Sequence, residues 1–187
     1  QSLESSRTST PFMNARPTTE ISTFPHPAAH VFAITSGKGG VGKTNAVANL
    51  AAALIKEKKR VMVMDADLGL ANLDLFLGVS PQYTLADFFT GTKSLTDILT
   101  PTPLGITLLP AASGVQEVTS LTDAQKIVFL TELDALAHDV DIMLVDTSSG
   151  ISDTVTYFAT AAQEIIVVVM PEPSSFTDAY ALIKVLA

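Results

Sequence analysis

A glycine-rich octapeptide between an apolar run and a helix-like segment constrains this chain more than any other feature. Residues 37–44 read GKGGVGKT, which satisfies the pattern G-x-x-x-x-G-K-[ST]. The apolar run before the octapeptide predicts a strand over Val31–Thr35, and the segment after it predicts a helix over Lys43–Glu57. Glycines in such a loop let backbone N–H groups approach an anion at the start of the helix. The sequence therefore predicts a loop that binds nucleotide phosphates.

Individual loop residues have predicted contacts with a nucleotide. Lys43 is placed to reach the β- and γ-phosphates, Thr44 to bind Mg²⁺ through its hydroxyl, and Asn45 to contact the α-phosphate. Lys38 is not needed to hold phosphates bound to its own chain, so the residues alone leave it as a solvated surface lysine or a group with another role. The predicted nucleotide-binding residues are Gly37, Lys38, Gly39, Gly40, Val41, Gly42, Lys43, Thr44 and Asn45.

From residue 31 onward, apolar runs alternate with helix-like segments. The runs are apolar on both faces, which is typical of buried parallel strands. The alternation predicts an α/β fold of the P-loop NTPase type, with a mostly parallel sheet and helices on both faces. The predicted strands are Val31–Thr35, Arg60–Met64, Ile106–Leu109, Asp141–Val145 and Glu164–Met170, and the predicted helices are Lys43–Glu57, Thr84–Phe89, Ser94–Leu99, Leu121–His138, Asp153–Ala162 and Ser175–Ala187.

Residues 1–30 differ in composition from the rest of the chain. They are rich in Ser, Thr and Pro, lack Gly, and show no helical or strand periodicity. Such a stretch buries too little apolar area to offset its ordering entropy, so we expect a flexible tail over 1–30 and one P-loop domain over 31–187. A segment that folds onto a partner is the alternative for the tail. The last predicted helix stops at Ala187 without Gly, Pro or a polar run, so we expect the domain to be incomplete at its C-terminus.

Acidic residues follow two of the predicted strands. The carboxyl ends of parallel strands face the crevice where ligands bind, and Asp65 and Asp67 are spaced to point to the same side. One of them can hold Mg²⁺ through water while the other orients or deprotonates the attacking water, and a solvated acidic loop is the alternative. Asp146 closes an apolar strand in the manner of a Walker B segment and is expected to hold Mg²⁺-bound water. Gly150 is predicted to let the backbone respond to a γ-phosphate.

The composition argues against several classes of function. The chain has 11 basic and 19 acidic residues, which argues against specific nucleic-acid binding. It has no Cys, which excludes disulfides, thiolate metal sites and Cys nucleophiles. Its apolar runs are too short to span a membrane, and its first residues do not have the form of a secretory signal. We therefore expect a cytoplasmic protein.

The octapeptide resembles the deviant phosphate loop of the MinD/ParA family of dimerising ATPases. In that family the first lysine reaches across a dimer interface, so the resemblance implies that Lys38 acts on the partner's nucleotide and that ATP is buried between two subunits. It also implies that Asp67 activates the water, that Asp65 is an outer-shell magnesium contact, and that a first switch spans about Asp67–Asp74. The implied catalytic residues are Lys38, Lys43 and Asp67, and the implied metal-binding residues are Thr44, Asp65 and Asp146.

Three further segments resemble the flagellar-number branch of this family, the FlhG proteins, also called FleN or YlxH. These segments are DADLGLANLD at 65–74, DTSSGISDTV at 146–155 and EPSSFTDAYALIK at 172–184. The resemblance covers about residues 31–187. It implies a slow ATPase that uses ATP/ADP and Mg²⁺, dimerises with ATP, separates after hydrolysis, and controls flagellar number or placement.

The implied partners are a second copy of the chain, the SRP-type GTPase FlhF, and flagellar regulatory or basal-body proteins. The branch often carries an N-terminal motif that stimulates FlhF, and residues 1–30 contain nothing like it. We also expect this sequence to lack the family's region beyond the last helix, which supplies an adenine-recognising strand end and, in many members, a C-terminal membrane-targeting helix. We therefore expect this chain to bind nucleotide weakly and not to bind membrane alone. The full-length protein is expected at the inner face of the membrane through that helix.

Other functions share the same loop. A MinD-like division-site ATPase is one alternative, and a ParA-like partition ATPase is another, although the latter needs a basic face and only a small cluster over residues 56–60 is available. A metabolic phosphoryl-transfer enzyme or a tyrosine kinase would require an acceptor pocket, which the sequence does not reveal. A catalytically silent adaptor that binds nucleotide only to hold its shape is a further alternative, against which Asp67 argues.

Overall fold

One mostly parallel sheet organises the chain in this computed structural model, which describes residues 28–67, 72–111 and 122–187. The described strands lie in the order β3–β4–β2–β5–β1–β6. Neighbouring strands are parallel, except that β3 and β4 are antiparallel. The strands are β1 His30–Ser36, β2 Val61–Ala66, β3 Thr100–Pro101, β4 Thr107–Leu109, β5 Ile142–Ser149 and β6 Glu164–Val167.

Helices cover both faces of the sheet. The helices of the described residues are α1 Lys43–Lys56, α2 Leu73–Leu77, α3 Leu85–Phe89, α4 Leu95–Ile98, α5 Asp123–Ala137, α6 Asp153–Ala161 and α7 Pro173–Leu186. The apolar residues of α1 and α2 belong to one core cluster, and those of α3 to α6 belong to a second. In the part of the chain that the structure describes, no helix combines the length and apolar character needed to cross a membrane.

The sheet separates the two cores, because successive side chains of each strand point to opposite faces. Met62 and Met64 of β2 pack in the core with Phe129, whereas Val61 and Val63 pack in the core with α1 and α2. Every residue of β2 is buried. A strand buried on both faces reads as an unbroken apolar run, which is why the sequence pattern identified it.

The predicted α/β fold with a mostly parallel sheet is confirmed, and its element bounds differ in small ways. The short strand β3 was not predicted, because two residues carry no periodicity. The helix α2 was not predicted either, because the segment that contains its start was interpreted as the first switch over about Asp67–Asp74. Strand β6 ends at Val167 rather than Met170, and α7 starts at Pro173 because proline suits the first turn of a helix.

The start of the domain is two residues earlier than predicted. Ala29 is buried and its N–H donates to the Ala137 carbonyl at 2.8 Å, while His30 begins β1. These contacts with α5 and the sheet remove residues 29 and 30 from the predicted tail. The remainder of the tail, residues 1–27, lies outside the described residues, as do residues 68–71 of the predicted first switch.

Candidate nucleotide-binding site

Three adjacent strands in the middle of the sheet bring the predicted site residues together. β5 lies between β1 and β2, and the register places Asp146 beside both Asp65 and Ile34. A cavity of about 410 Å³ lies beside the carboxyl ends of these three strands. It is lined by Ser36, Gly39, Gly40, Val41, Gly42, Lys43, Thr44, Asn45, Asp67, Asn72, Phe76 and Ser149.

The first turn of α1 faces this cavity without a side-chain cap. Gly42 is the N-cap residue in a left-handed conformation with φ 89°, and it offers no side-chain oxygen. By contrast, α3, α4 and α5 all begin with capping boxes. Gly40 and Gly42 both have positive φ, and the space where each Cβ would lie is open. The loop therefore presents uncapped backbone N–H groups and room for an anion at the positive end of a helix.

A buried ion pair lies at the base of the cavity. Lys43 Nζ is 3.2 Å from Asp146 Oδ1, and the two side chains are 8% and 2% exposed. Burial raises the pKa of Asp146, and the positive charge of Lys43 partly opposes that shift. The Thr44 hydroxyl lies near Asp146 and favours its charged form, which also lowers the pKa of that carboxyl. The lysine and the threonine hydroxyl of the phosphate loop thus converge on the predicted Walker B carboxylate.

Asp65 is a second buried carboxylate close to the first. Its two oxygens accept the N–H groups of Asp67 at 3.0 Å and of Leu73 at 3.3 Å. Burial, the largest cause, raises its pKa to about 7, and the charges of Asp146 and Asp67 add to the rise while the two hydrogen bonds oppose it. Asp65 therefore ties the start of α2 to the end of β2.

The donor set suits a magnesium ion. Asp65, Asp67 and Asp146 interact electrostatically with one another, and Thr44 adds a hydroxyl oxygen near Asp146. Oxygen ligands with excess negative charge are what a small divalent cation prefers. Such an ion would offset the repulsion from Asp146 and Asp67, which adds to the larger effect of burial in raising the pKa of Asp65. Among the described residues no three acidic or histidine side chains form a metal-binding group, so Thr44 and Asp146 are the residues that would hold Mg²⁺.

Gly37 and Lys38 do not line the cavity with the rest of the loop. A Cβ at Gly37 would lie 2.2 Å from the backbone carbon of Asp178, so the loop packs directly on α7. The Lys38 ammonium is held by Glu172 and Ser174, which lie 2.6 and 3.0 Å away at the start of the same helix. In this chain alone, Lys38 is therefore directed toward α7.

Sequence reasoning missed several residues of the site. Asn72, Phe76 and Ser149 line the cavity. Asn72 lies inside the predicted first switch and Ser149 lies next to Gly150 of the predicted second switch, whereas no sequence signal pointed to Phe76. The contact of Lys38 with Glu172 joins residues 134 positions apart, which no local pattern shows. Gly150 has φ 95° and its N–H donates to the Ser36 carbonyl at 2.8 Å, so the predicted second switch touches the strand end before the phosphate loop.

Comparisons with known proteins agree with this geometry. A family model described as an AAA domain matches residues 29–187. The antiactivator FleN of Pseudomonas aeruginosa is 49% identical over 161 residues, covering 86% of this chain and 57% of FleN. The flagellum site-determining protein YlxH of Helicobacter pylori is 39% identical over 153 residues, covering 82% of this chain and 52% of YlxH.

A solved structure extends the comparison to the fold. The septum site-determining protein MinD of Pyrococcus horikoshii, complexed with Mg-ADP, superposes with a TM-score of 0.71 at 31% identity, over 84% of this chain and 65% of that one. The chain belongs to the P-loop ATPases of the AAA domain family, in their MinD/ParA group. Within that group it is similar to the flagellar proteins FleN and YlxH, as its motifs predicted. It spans about half the length of these curated relatives.

Proposed function

We propose that this chain is the nucleotide-binding part of a Mg²⁺-dependent ATPase switch that controls flagellar number or placement. The observation that supports this most is the convergence of Lys43, Thr44 and Asp146 beneath an uncapped glycine loop. The similarity to FleN and YlxH supports the flagellar output. We place the protein in the cytoplasm, with any membrane contact made by a segment outside residues 28–187.

Each residue of the site has a role in the proposed reaction. Lys43 exchanges its contact with Asp146 for the β- and γ-phosphates, which keeps its buried ammonium paired. Thr44 and Asp146 would hold Mg²⁺, which would supply positive charge beside the phosphates. Asp67, at the cavity wall, orients and deprotonates the attacking water. Asp65 holds the backbone on either side of the first switch and acts on the metal only through an outer shell.

Dimerisation is the proposed output of ATP binding. Lys38 does not line the cavity of its own chain, which leaves its ammonium available for a role in a second subunit's site. In this proposal ATP brings two subunits face to face with Lys38 acting in trans, and hydrolysis separates them. The dimer would be the form that FlhF or other flagellar proteins recognise.

Light-scattering mass of the full-length protein tests the switch. The Asp67→Ala variant should be dimeric with Mg²⁺·ATP and monomeric with Mg²⁺·ADP, because it retains nucleotide binding but cannot activate water. Adding Lys38→Ala to that variant should abolish the dimer while leaving ATP binding intact by calorimetry. A monomer in both nucleotide states, with ATP bound, would refute the switch.

A MinD-like role at the division site is the second candidate, favoured by the superposition on MinD. Deletion of the gene separates the two functions, because a flagellar regulator changes the number or position of flagella and a division-site ATPase changes where septa form. A ParA-like partition role predicts retention on nonspecific DNA at low salt, which the net charge of −8 argues against.

A further inference from the structure

Two asparagine side chains on successive turns of α1 contact each other. Asn45 lies in the first turn and lines the cavity, and Asn49 follows four residues later on the same face of the helix. Asn49 Nδ2 donates to the Asn45 carbonyl oxygen at 2.8 Å and also to Asn45 Oδ1. Both residues are exposed, so the contact between the two amides, rather than burial, sets how the Asn45 side chain is turned.

The backbone carbonyl of Asn45 determines which end of the Asn49 amide faces it. A carbonyl oxygen only accepts hydrogen bonds, so the Asn49 atom beside it must be the NH2 nitrogen. The same nitrogen meets the Asn45 side chain, and an NH2 group only donates, so the Asn45 atom in that contact must be its oxygen. The NH2 group of Asn45 is therefore turned away from Asn49.

The direction of the Asn45 amide matters because this residue lines the cavity at the start of a helix. The Ala46 N–H donates to the Gly42 carbonyl at 2.9 Å, so the helical ladder of α1 begins at residue 46 and the N–H groups of residues 43–45 precede it. An amide NH2 beside those groups adds a donor for an anion, whereas a flipped amide would present a carbonyl oxygen that repels it. The orientation set by Asn49 therefore decides whether Asn45 attracts or repels a phosphate.

We propose that Asn49 is a positioning residue that holds the Asn45 amide as a hydrogen-bond donor to the α-phosphate of the bound nucleotide. The inference rests on the proposed function, in which the cavity binds ATP or ADP. Asn49 is not among the residues that line the cavity, so it acts on the nucleotide through Asn45. Its contribution to nucleotide affinity should therefore vanish when Asn45 is replaced.

Calorimetric titration of the full-length protein with ADP tests whether Asn49 acts through Asn45. Asn49→Ala should weaken ADP binding by about 3- to 10-fold, the range expected for one hydrogen bond. In the Asn45→Ala background the same substitution should change ADP affinity by no more than about 2-fold, because the group that Asn49 orients is gone. Alanine is the strongest helix former, so Asn49→Ala should unfold at the same or a higher temperature, which separates positioning from helix stability.

The two diastereomers of ADPαS, titrated without divalent cations, test the contact with the α-phosphate itself. Sulfur replaces a different non-bridging oxygen in each, so the ratio of their affinities reports how a donor meets that phosphate. Asn49→Ala and Asn45→Ala should shift this ratio in the same direction, and the double variant should shift it no further.

Three results would overturn the role of Asn49 alone, in a parent protein that binds ADP. These are an unchanged ADP affinity in Asn49→Ala, an equal loss of affinity in the parent and Asn45→Ala backgrounds, and a diastereomer ratio that neither substitution alters. A folded parent that does not bind ADP would instead refute nucleotide binding in the proposed function, and the role of Asn49 with it.

Discussion

Replacing Gly37 by alanine places a methyl group into the backbone of α7. An ideal Cβ at this position would lie 2.2 Å from the Asp178 carbonyl carbon, 2.4 Å from its oxygen and 2.5 Å from the Ala179 nitrogen. All three are backbone atoms inside a helix, so no side-chain rotation can relieve the overlap. Either the phosphate loop or α7 must move by about 1 Å to restore ordinary contact distances.

The expected loss in the free energy of unfolding follows from this overlap alone. Gly37 is not among the glycines with positive φ, so alanine meets no backbone strain there. Overpacking a well-filled site costs about 1–3 kcal/mol, and a clash with helix backbone belongs at the upper end of that range. For a domain of this size, about 3 kcal/mol corresponds to a fall in Tm of about 6–12 °C.

Thermal unfolding of the nucleotide-free protein, followed by circular dichroism, measures this effect. Gly39→Ala is the matched control, because its Cβ would meet only the Ser149 hydroxyl at 3.4 Å and its φ is not positive. That variant should unfold within about 1 kcal/mol of the parent. If Gly37→Ala unfolds at the same temperature as Gly39→Ala, the loop is not packed against α7 as described.

Three other substitutions test the site and its support. Lys43→Ala removes the ammonium that we propose binds the phosphates, and calorimetry should show ATP affinity reduced by about 100-fold; near-parental affinity would contradict the site. Asp65→Asn should flatten the pH dependence of unfolding in metal-free protein. The raised pKa of about 7 makes the folded state hold a proton that the unfolded chain loses, so the free energy of unfolding falls from about pH 4 to pH 7, by up to about 4 kcal/mol. If Asp65 were not responsible, urea titrations over this pH range would give the same pH dependence of the free energy of unfolding in Asp65→Asn as in the parent. Thr84→Ala breaks the capping box of α3 and should cost about 1 kcal/mol by the same unfolding assay, with an unchanged midpoint counting against the cap.

The parts of the fold that could be predicted are those with a strong local signal. β1, the glycine loop and α1 follow one another without interruption, and the apolar runs of β2 and β5 are each followed by an aspartate, Asp65 or Asp146. The carboxyl ends of parallel strands lie at the same side of a sheet, and this property places Asp65 and Asp146 near each other. The register pairs the two residues.

The parts that could not be predicted depend on contacts between distant residues. Nothing near Lys38 in the sequence indicates that Glu172 holds it, and nothing near Gly37 indicates that helix backbone fills the space beside it. The order of the strands is likewise not encoded in any single segment. Such features arise only when the sheet has assembled, since the residues concerned belong to separate elements.

The position of β1 between β5 and β6 has a consequence for the synthesis of the protein on the ribosome. β1 pairs with β5 and β6, and Lys43 lies 103 residues before the Asp146 that it contacts. At about 5–20 residues per second, β1 waits roughly 5–20 s after emerging before its first neighbour is made. During that interval an apolar strand has no partner, so the nascent chain is most exposed to aggregation and to chaperones at the segment that later carries the phosphate loop.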